Sequence, residues 1–295
     1  MKRFLVLFIL SFLLVSSATA QPKTDREQYG LAGPVKKVVI ETAKLSNKFG
    51  KWEEEGRKAA ETLTFNAQGN LTEHETYAPD GTLKSEAVYT YDSQGNKTEE
   101  NAYTPPLVRF FKGTLQFKDV YTYDAQGNLI EEAAYAPDGA LKSKDVHTYD
   151  AKGNLTEEDV YTPSGTPKSR ALYAYDAKGN RTENKNLYTP DGILKAKEIR
   201  TYDAKGNLTE EASYTPDGTV KSREVRTYDV KGNLIEDAFY APDLQKKEAY
   251  SYEDGSFGNW IKMTTATWVT KFGRSYFEPS MVTHRTITYY GEGAK

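Results

Sequence analysis

The ten residues YDAKGNLTEE occupy positions 149–158 and return unchanged at 202–211. Near-copies begin at Phe65, Tyr91, Tyr123, Tyr175 and Tyr228. Taking Gly-Asn as the marker, the pairs fall at 69/70, 95/96, 127/128, 153/154, 179/180, 206/207, 232/233 and 258/259. The intervals are therefore 26, 32, 26, 26, 27, 26 and 26 residues. A catalytic site is needed once, whereas a structural unit that cannot bury itself alone is needed many times. The period constrains the fold more than any other feature of the chain.

Each unit carries two turn signals. In D-x-x-G-N, as at Asp203 to Asn207, the Asp carboxylate suits the first turn position, where it accepts free N–H groups. Gly206 then takes the left-handed conformation of a G1 bulge without steric cost. In P-D-G, as at Pro216 to Gly218, Pro presets the backbone of the first central residue. The segments between, such as LTEEASY (208–214) and VKSREVRTY (220–228), are too short for helices. Their Thr, Val and Tyr favour strands.

The residues that define six full copies are Tyr91, Asp92 and Gly95; Tyr123, Asp124 and Gly127; Tyr149, Asp150 and Gly153; Tyr175, Asp176 and Gly179; Tyr202, Asp203 and Gly206; and Tyr228, Asp229 and Gly232. Each reads as a structural turn or ladder residue. Pairing outward from Gly206 predicts Tyr202 opposite Leu208, Thr201 opposite Thr209 and Arg200 opposite Glu210. Around Gly218 it predicts Tyr214 opposite Val220 and Glu211 opposite Arg223. Alternation then puts Tyr202, Leu208, Ala212, Tyr214 and Val220 on one face, with Thr201, Thr209, Ile199, Glu211 and Arg223 on the other. Neither face is cleanly apolar.

The expected fold is all-β: a long antiparallel meander of two-strand hairpin units, roughly sixteen strands, forming one twisted, curled sheet or open spiral. The extra residue of the 27-residue unit, in RTENKNLY (181–188), is expected to form a bulge. The six extra residues of the 32-residue unit form a longer loop within 104–117. Residues 21–61 read as an N-terminal strand and capping segment, 62–256 as the repeats, and 257–295 as C-terminal capping strands that cover the last edge.

Written as YDxxGNLxEExxYxPDGxxKSxxVxT, the repeat resembles that of the YD-repeat, or Rhs-like, proteins. The pairs that carry the likeness are Tyr91-Asp92, Tyr123-Asp124, Tyr149-Asp150, Tyr175-Asp176, Tyr202-Asp203 and Tyr228-Asp229, over roughly residues 62–258. The resemblance implies a curled sheet or spiral on a secreted or cell-envelope protein. Large members form hollow shells around a toxin domain, and some are described as carbohydrate-binding. This chain is far shorter, has Gly-Asn where the family has Gly-Arg, and carries nothing like a toxin after its last repeat.

Residues 1–20 read as a signal peptide. Lys2 and Arg3 precede an apolar run at 4–15, and Ala18 and Ala20 fit the A-x-A cleavage pattern. That run is shorter than the roughly twenty residues a membrane helix needs. The chain contains no cysteine, which removes disulfides, thiolate metal sites and the lipidated cysteine of a lipoprotein. Cleavage after Ala20 would move the formal net charge from -3 to -5. The expected location is exported, periplasmic or extracellular, and soluble, without stable membrane insertion.

Interspersed Lys and Glu give no nucleic-acid footprint. Tyr, at 22, outnumbers Phe and Trp together, and mean hydropathy is -0.72. His74, His147 and His284 sit at unrelated phases of the repeat, and His147, at the position of Tyr121, Arg200 and Arg226 in other units, reads as a solvated cross-strand residue. No H-E-x-x-H, G-x-S-x-G, P-loop or G-x-G-x-x-G spacing occurs. Catalytic, metal-binding and cofactor-binding residues are therefore not expected, nor is enzyme activity. One Asp per turn falls short of the oxygens calcium requires. Five N-x-T triplets, from Asn70, Asn96, Asn154, Asn180 and Asn207, follow from a turn Asn before a strand Thr. The function expected is a non-catalytic scaffold or interaction surface for an unknown protein or glycan partner. The alternative is a glycan-binding module that uses tyrosine rows as stacking platforms.

Overall fold

The computed structural model describes residues 24–105, 113–187 and 193–291. The expected signal peptide and the core of the longer loop lie outside the described residues. A four-residue helix α1 (Asp25–Gln28) comes first, capped by Thr24 and Glu27 as a capping box. Two long strands follow, β1 (Val35–Lys48) and β2 (Lys51–Phe65). The repeats then supply β3 (Leu71–Tyr77), β4 (Leu83–Tyr91), β5 (Lys97–Tyr103), β6 (Leu115–Tyr123), β7 (Leu129–Tyr135), β8 (Leu141–Tyr149) and β9 (Leu155–Tyr161). They continue through β10 (Pro167–Tyr175), β11 (Arg181–Leu187), β12 (Leu194–Tyr202), β13 (Leu208–Tyr214), β14 (Val220–Tyr228), β15 (Leu234–Tyr240) and β16 (Leu244–Asp254). Long strands β17 (Trp260–Lys271) and β18 (Arg274–Tyr289) complete the chain.

Every strand pairs antiparallel with its chain neighbours, and β18 pairs back onto β1, from Val35↔Tyr289 to Lys44↔Met281. The sheet is therefore a closed 18-stranded barrel, neither an open sheet nor a spiral. The terminal segments do more than cover an edge: β17, β18, β1 and β2 form the seam that abolishes both edges.

A second bulge in each repeat hairpin explains the closure. Tyr202 pairs with Leu208 as expected, but the next pair is Thr201↔Glu210, so Thr209 is passed over. At the other end Tyr214 pairs with Val220 and Ser213 with Ser222, passing over Lys221. Such bulges recur from one hairpin to the next and add twist and bend at both rims. The predicted register is accordingly off by one. Arg200 opposes Glu211, Ile199 opposes Ala212 and Glu211 opposes Glu224. The faces change with it: Arg200, Glu198, Glu211, Ser213, Glu224 and Arg226 share the side of Tyr202. Ile199, Ala212, Tyr214, Arg223 and Val225 share the other.

The strand β11 has the seven residues of its counterparts and ends with Leu187 opposite Leu194. The extra residue of that unit thus follows the strand, in the 188–193 connection, which is largely outside the described residues, and does not bulge it.

The face with Tyr202 and Arg200 is the concave one. Its guanidinium side chains are 15% exposed at Arg200 and 16% at Arg226, against 49% for Arg170 and 45% for Arg223 on the opposite face. A ring of eighteen strands at ~4.8 Å has a circumference of roughly 90 Å, wider than inward side chains can fill. The only sizeable apolar cluster among the described residues lies on this inner side, at the seam. There Leu31, Val35, Val38, Leu63, Phe65, Leu71 and Tyr289 are buried together. The N-terminal segment holds it in place: Arg26 N–H donates to Gly69 O, and Ala32 exchanges two bonds with Asn259.

Candidate functional site on the inner wall

The repeat-defining residues all come to one rim. The Asp203 Oδ1 accepts from the N–H groups of Lys205 and Asn207 at 2.9 Å each, and Oδ2 accepts from Asn207 Nδ2 at 2.8 Å. Gly206 sits at φ +88°. The same arrangement recurs at Asp92, Asp124, Asp150, Asp176 and Asp229. These bonds hold the exposed turn carboxylates below their usual range. The turn Asn is thus a third bonding element of the loop, with its side-chain amide committed to Asp.

The repeated tyrosine has an equally fixed task. Tyr202 Oη donates to Arg181 O at 2.8 Å, where backbone pairing between β11 and β12 has already ended. Tyr91, Tyr123, Tyr149, Tyr175 and Tyr228 reach the carbonyls of Leu71, Lys97, Leu129, Leu155 and Leu208 in the same way. Tyr252 bonds Leu234 O, and Tyr290 carries the pattern across the seam to Phe65 O at 2.6 Å. These hydroxyls close the rim by satisfying carbonyls that the splayed hairpins leave free. Sequence reasoning placed the tyrosines in ladders but missed the hydroxyl bond, because its partner lies some twenty residues earlier.

Below that rim, a belt of polar side chains crosses the inner wall. The cross-strand pairs are Tyr89↔Glu100, Tyr121↔Glu132, His147↔Glu158, Tyr173↔Asn184, Arg200↔Glu211 and Arg226↔Asp237. Asp119 and Asp145 stand on the same face beside Glu132. Burial, then the charges of Asp119 and Asp145, push the Glu132 carboxyl up to about 7. Burial and Glu100 bring Asp119 to about 6, and burial with Glu224 brings Asp237 to about 6. Burial lowers His147 despite Glu158 and Asp145, and it raises Asp145. His147, expected to be a solvated cross-strand residue, is a half-buried member of this wall.

Cations are inserted where the repeat varies. Lys97 occupies a usual leucine position and lies 4.4 Å from the Tyr121 ring centre, 5.3 Å from that of Tyr89 and 3.3 Å from Glu100. Arg181, at the equivalent position, lies 5.0 Å from the Tyr173 ring. Even so, the wall is not internally satisfied. Among the described residues, the buried side-chain polar atoms without a hydrogen-bond partner are on His74, Asp145, His147, Asn184, Asp237, Thr265 and Arg285. Register puts every one of them on the inner face. His74 Nε2 does stand 3.4 Å from Glu61, but without hydrogen-bond alignment.

The outer face is different. It carries ion pairs between neighbouring strands around the repeats: Lys118–Glu99, Lys144–Glu131, Arg170–Glu157, Lys197–Glu183 and Lys247–Glu236, at 2.6–3.2 Å. A lipid-facing barrel needs an apolar band, and each Lys or Arg at its midplane would cost ~2–4 kcal/mol. Both faces of the repeat strands are charged, so neither matches hydrocarbon. No described helix is long and apolar enough to cross a membrane. No group of three or more His, Cys, Asp or Glu among the described residues is arranged to hold a metal ion.

No protein-family model matches the chain, and no curated protein matches it in sequence. Similar solved structures include a porin-like protein from Bacteroides uniformis, 10% identical, covering 86% of this chain and 98% of that one with a TM-score of 0.42. A porin-like protein from Bacteroides vulgatus is 9% identical over 86% of this chain and 99% of its own, with a TM-score of 0.28. The TcdB2-TccC3 structure is 12% identical over 81% of this chain, with a TM-score of 0.30, and this chain covers only 20% of it.

Proposed function

We propose that this protein is an exported, water-soluble, non-catalytic β-barrel that serves as a scaffold and offers its inner wall to a polar partner. The observation that carries the reading is the asymmetry of polar satisfaction. The outer face carries ion pairs between neighbouring strands, whereas all the buried side-chain polar atoms without a partner among the described residues face inward. With half-buried carboxylates, tyrosines and cations side by side on the concave face, the lining suits water or a polar ligand. The acidic arc of Glu100, Asp119, Glu132, Asp145 and Glu158 favours a cationic partner, which would offset the burial and mutual repulsion that raise Asp119, Glu132 and Asp145.

Glycan binding by tyrosine stacking is the weaker reading. The ring faces of Tyr89, Tyr121, Tyr173 and Tyr240 are already approached by Lys97, Arg181 and Arg223. A thermal-shift screen of the mature protein with polyamines and oligosaccharides tests both. A polyamine is expected to raise the melting temperature of wild type and of Lys118→Gln, an outer-face control. Glu132→Gln/Asp145→Asn should lose that response. Shifts indifferent to the wall variant, or no polyamine response at all, would overturn the proposal; shifts with oligosaccharides alone would favour the glycan reading.

A further inference from the structure

Four strands outgrow the barrel. β2 pairs with β3 only from Glu61 onward, leaving residues 51–60 beyond that partner. β18 pairs with β1 only from Met281, leaving 274–280 beyond it. The β1–β2 and β17–β18 hairpins therefore project from the rim opposite the D-x-x-G-N turns. At ~3.3 Å per residue they rise roughly 13–23 Å past their last shared pair, Lys44↔Met281.

The two tips have the same chemistry. One is Lys48-Phe49-Gly50-Lys51 and the other Lys271-Phe272-Gly273-Arg274. The φ angles are +54° and +85° at Phe49 and Gly50, and +53° and +73° at Phe272 and Gly273. Both central residues are left-handed, the signature of a type I′ turn, whose first position favours Asn, Asp or Gly. A phenylalanine there works against the local backbone preference. Nor does packing within the chain account for it, since Phe49 and Phe272 are 107% and 105% exposed. A third Phe-Gly pair, Phe257-Gly258, has the same backbone signs, but its ring packs on Tyr289 at 4.9 Å and against Gly33.

Each exposed ring is flanked by two cations. Lys48 and Lys271 also pair with Glu53 and Glu278 below the tips, while Lys51 and Arg274 make no ion pair among the described residues. Trp52, 38% exposed, follows the first tip directly. Aromatic side chains ringed by Lys and Arg match the interface of an anionic bilayer, where rings enter the headgroup boundary and cations meet phosphate. The chain as a whole is acidic, so the basic tips would fix orientation on such a surface.

We infer that the twin Phe-Gly hairpin tips dock this barrel onto the surface of an anionic phospholipid membrane, without spanning it. One aromatic residue per tip gives marginal binding; two tips on one rigid ring add by effective concentration. The inference is independent of what the inner wall binds.

Co-sedimentation of the mature protein with phosphatidylglycerol/phosphatidylcholine vesicles, and with phosphatidylcholine alone, tests it. The protein is expected to sediment with the anionic vesicles, at least fivefold less with neutral ones, and less as salt rises. The variant Phe49→Asn/Phe272→Asn keeps the turn type, so its melting temperature should hold while vesicle binding falls at least fivefold. Wild type that ignores anionic vesicles, or a stably folded variant that binds as well as wild type, would overturn the inference. So would a concentration-dependent dimer in sedimentation velocity that the variant abolishes, since the tips would then serve a second copy.

Discussion

From β4 to β16 the buried apolar residues among those described are few and scattered: Tyr103, Ala133, Leu155, Ala212 and Ala238. In the seam around β18, β1 and β2, by contrast, seven apolar side chains form one cluster beneath the N-terminal segment. The arc holds its register by turn carboxylates, tyrosine hydroxyls and outer ion pairs, each a modest contribution that repeats. The seam holds by burial, concentrated in one place. A ring needs both, because repeated hairpins specify neighbours but only the seam brings the two ends together.

Core truncation separates the two regions most strongly. Phe65, 1% exposed, is expected to cost ~3–5 kcal/mol as Phe65→Ala. Leu155→Ala, in the arc, should cost closer to ~2 kcal/mol, because no cluster surrounds it. Equal losses in urea melts would erase the distinction between seam and arc.

Turn geometry comes next. Gly206→Val should cost about 1–2 kcal/mol or more, since a β-branched residue resists φ +88°. Lys205→Ala should cost under ~0.5 kcal/mol, although Lys205 Nζ donates to Val230 O at 2.9 Å in the next turn and is not simply pointed at solvent. Equal melting temperatures for the two variants would mean the turn does not fix register. Tyr202→Phe removes only the hydroxyl bond to Arg181 O and should cost about 1 kcal/mol. No change in its melt would make the tyrosine ladder a packing feature alone.

The smallest effect is a slope with pH. Glu132, Asp119 and Asp237 titrate near 7, 6 and 6 in the fold, above their ordinary 4.5 and 3.8. The folded state therefore binds more protons than the unfolded one, and stability should fall as pH rises from about 4 to 7. The turn aspartates have the opposite sign: lowered in the fold, they stabilise above about 4 and lose that contribution as pH falls further. Denaturant melts between pH 4 and 8 should show the neutral-side decline, and Glu132→Gln should flatten it. A stability that climbs steadily to pH 8 would contradict the strained inner wall.

Much of the arc is legible in the sequence because its signals are local. Asp203, Gly206 and the P-D-G residues announce hairpins, and strand ends such as Tyr202 and Leu208 fall where expected. The faces are not legible, because the second bulge, at Thr209 or Lys221, uses ordinary residues with no Gly to mark it. One missed residue moves Ala212 and Tyr214 to the outside and Glu211 to the inside. Closure is hidden for another reason: the pairing of β1 with β18 joins segments outside the repeat, almost the full chain apart. The inner wall depends on that closure, so His147 reads as a solvated strand residue until the ring is complete. A signal for α1 was present, in the Thr24 to Glu27 capping box.

The seam carries the central claim, and the absence of native cysteine makes it directly testable. Val39 and Thr286 are register partners across β1 and β18. In an open sheet of eighteen strands they would lie roughly 80 Å apart. The double variant Val39→Cys/Thr286→Cys, oxidised in dilute solution and resolved by non-reducing mass mapping, measures that distance chemically. The closed barrel predicts a monomer with the 39–286 disulfide formed in nearly every molecule and an unaltered β signature. Free thiols or only intermolecular disulfides in a folded protein would show that the ring is open.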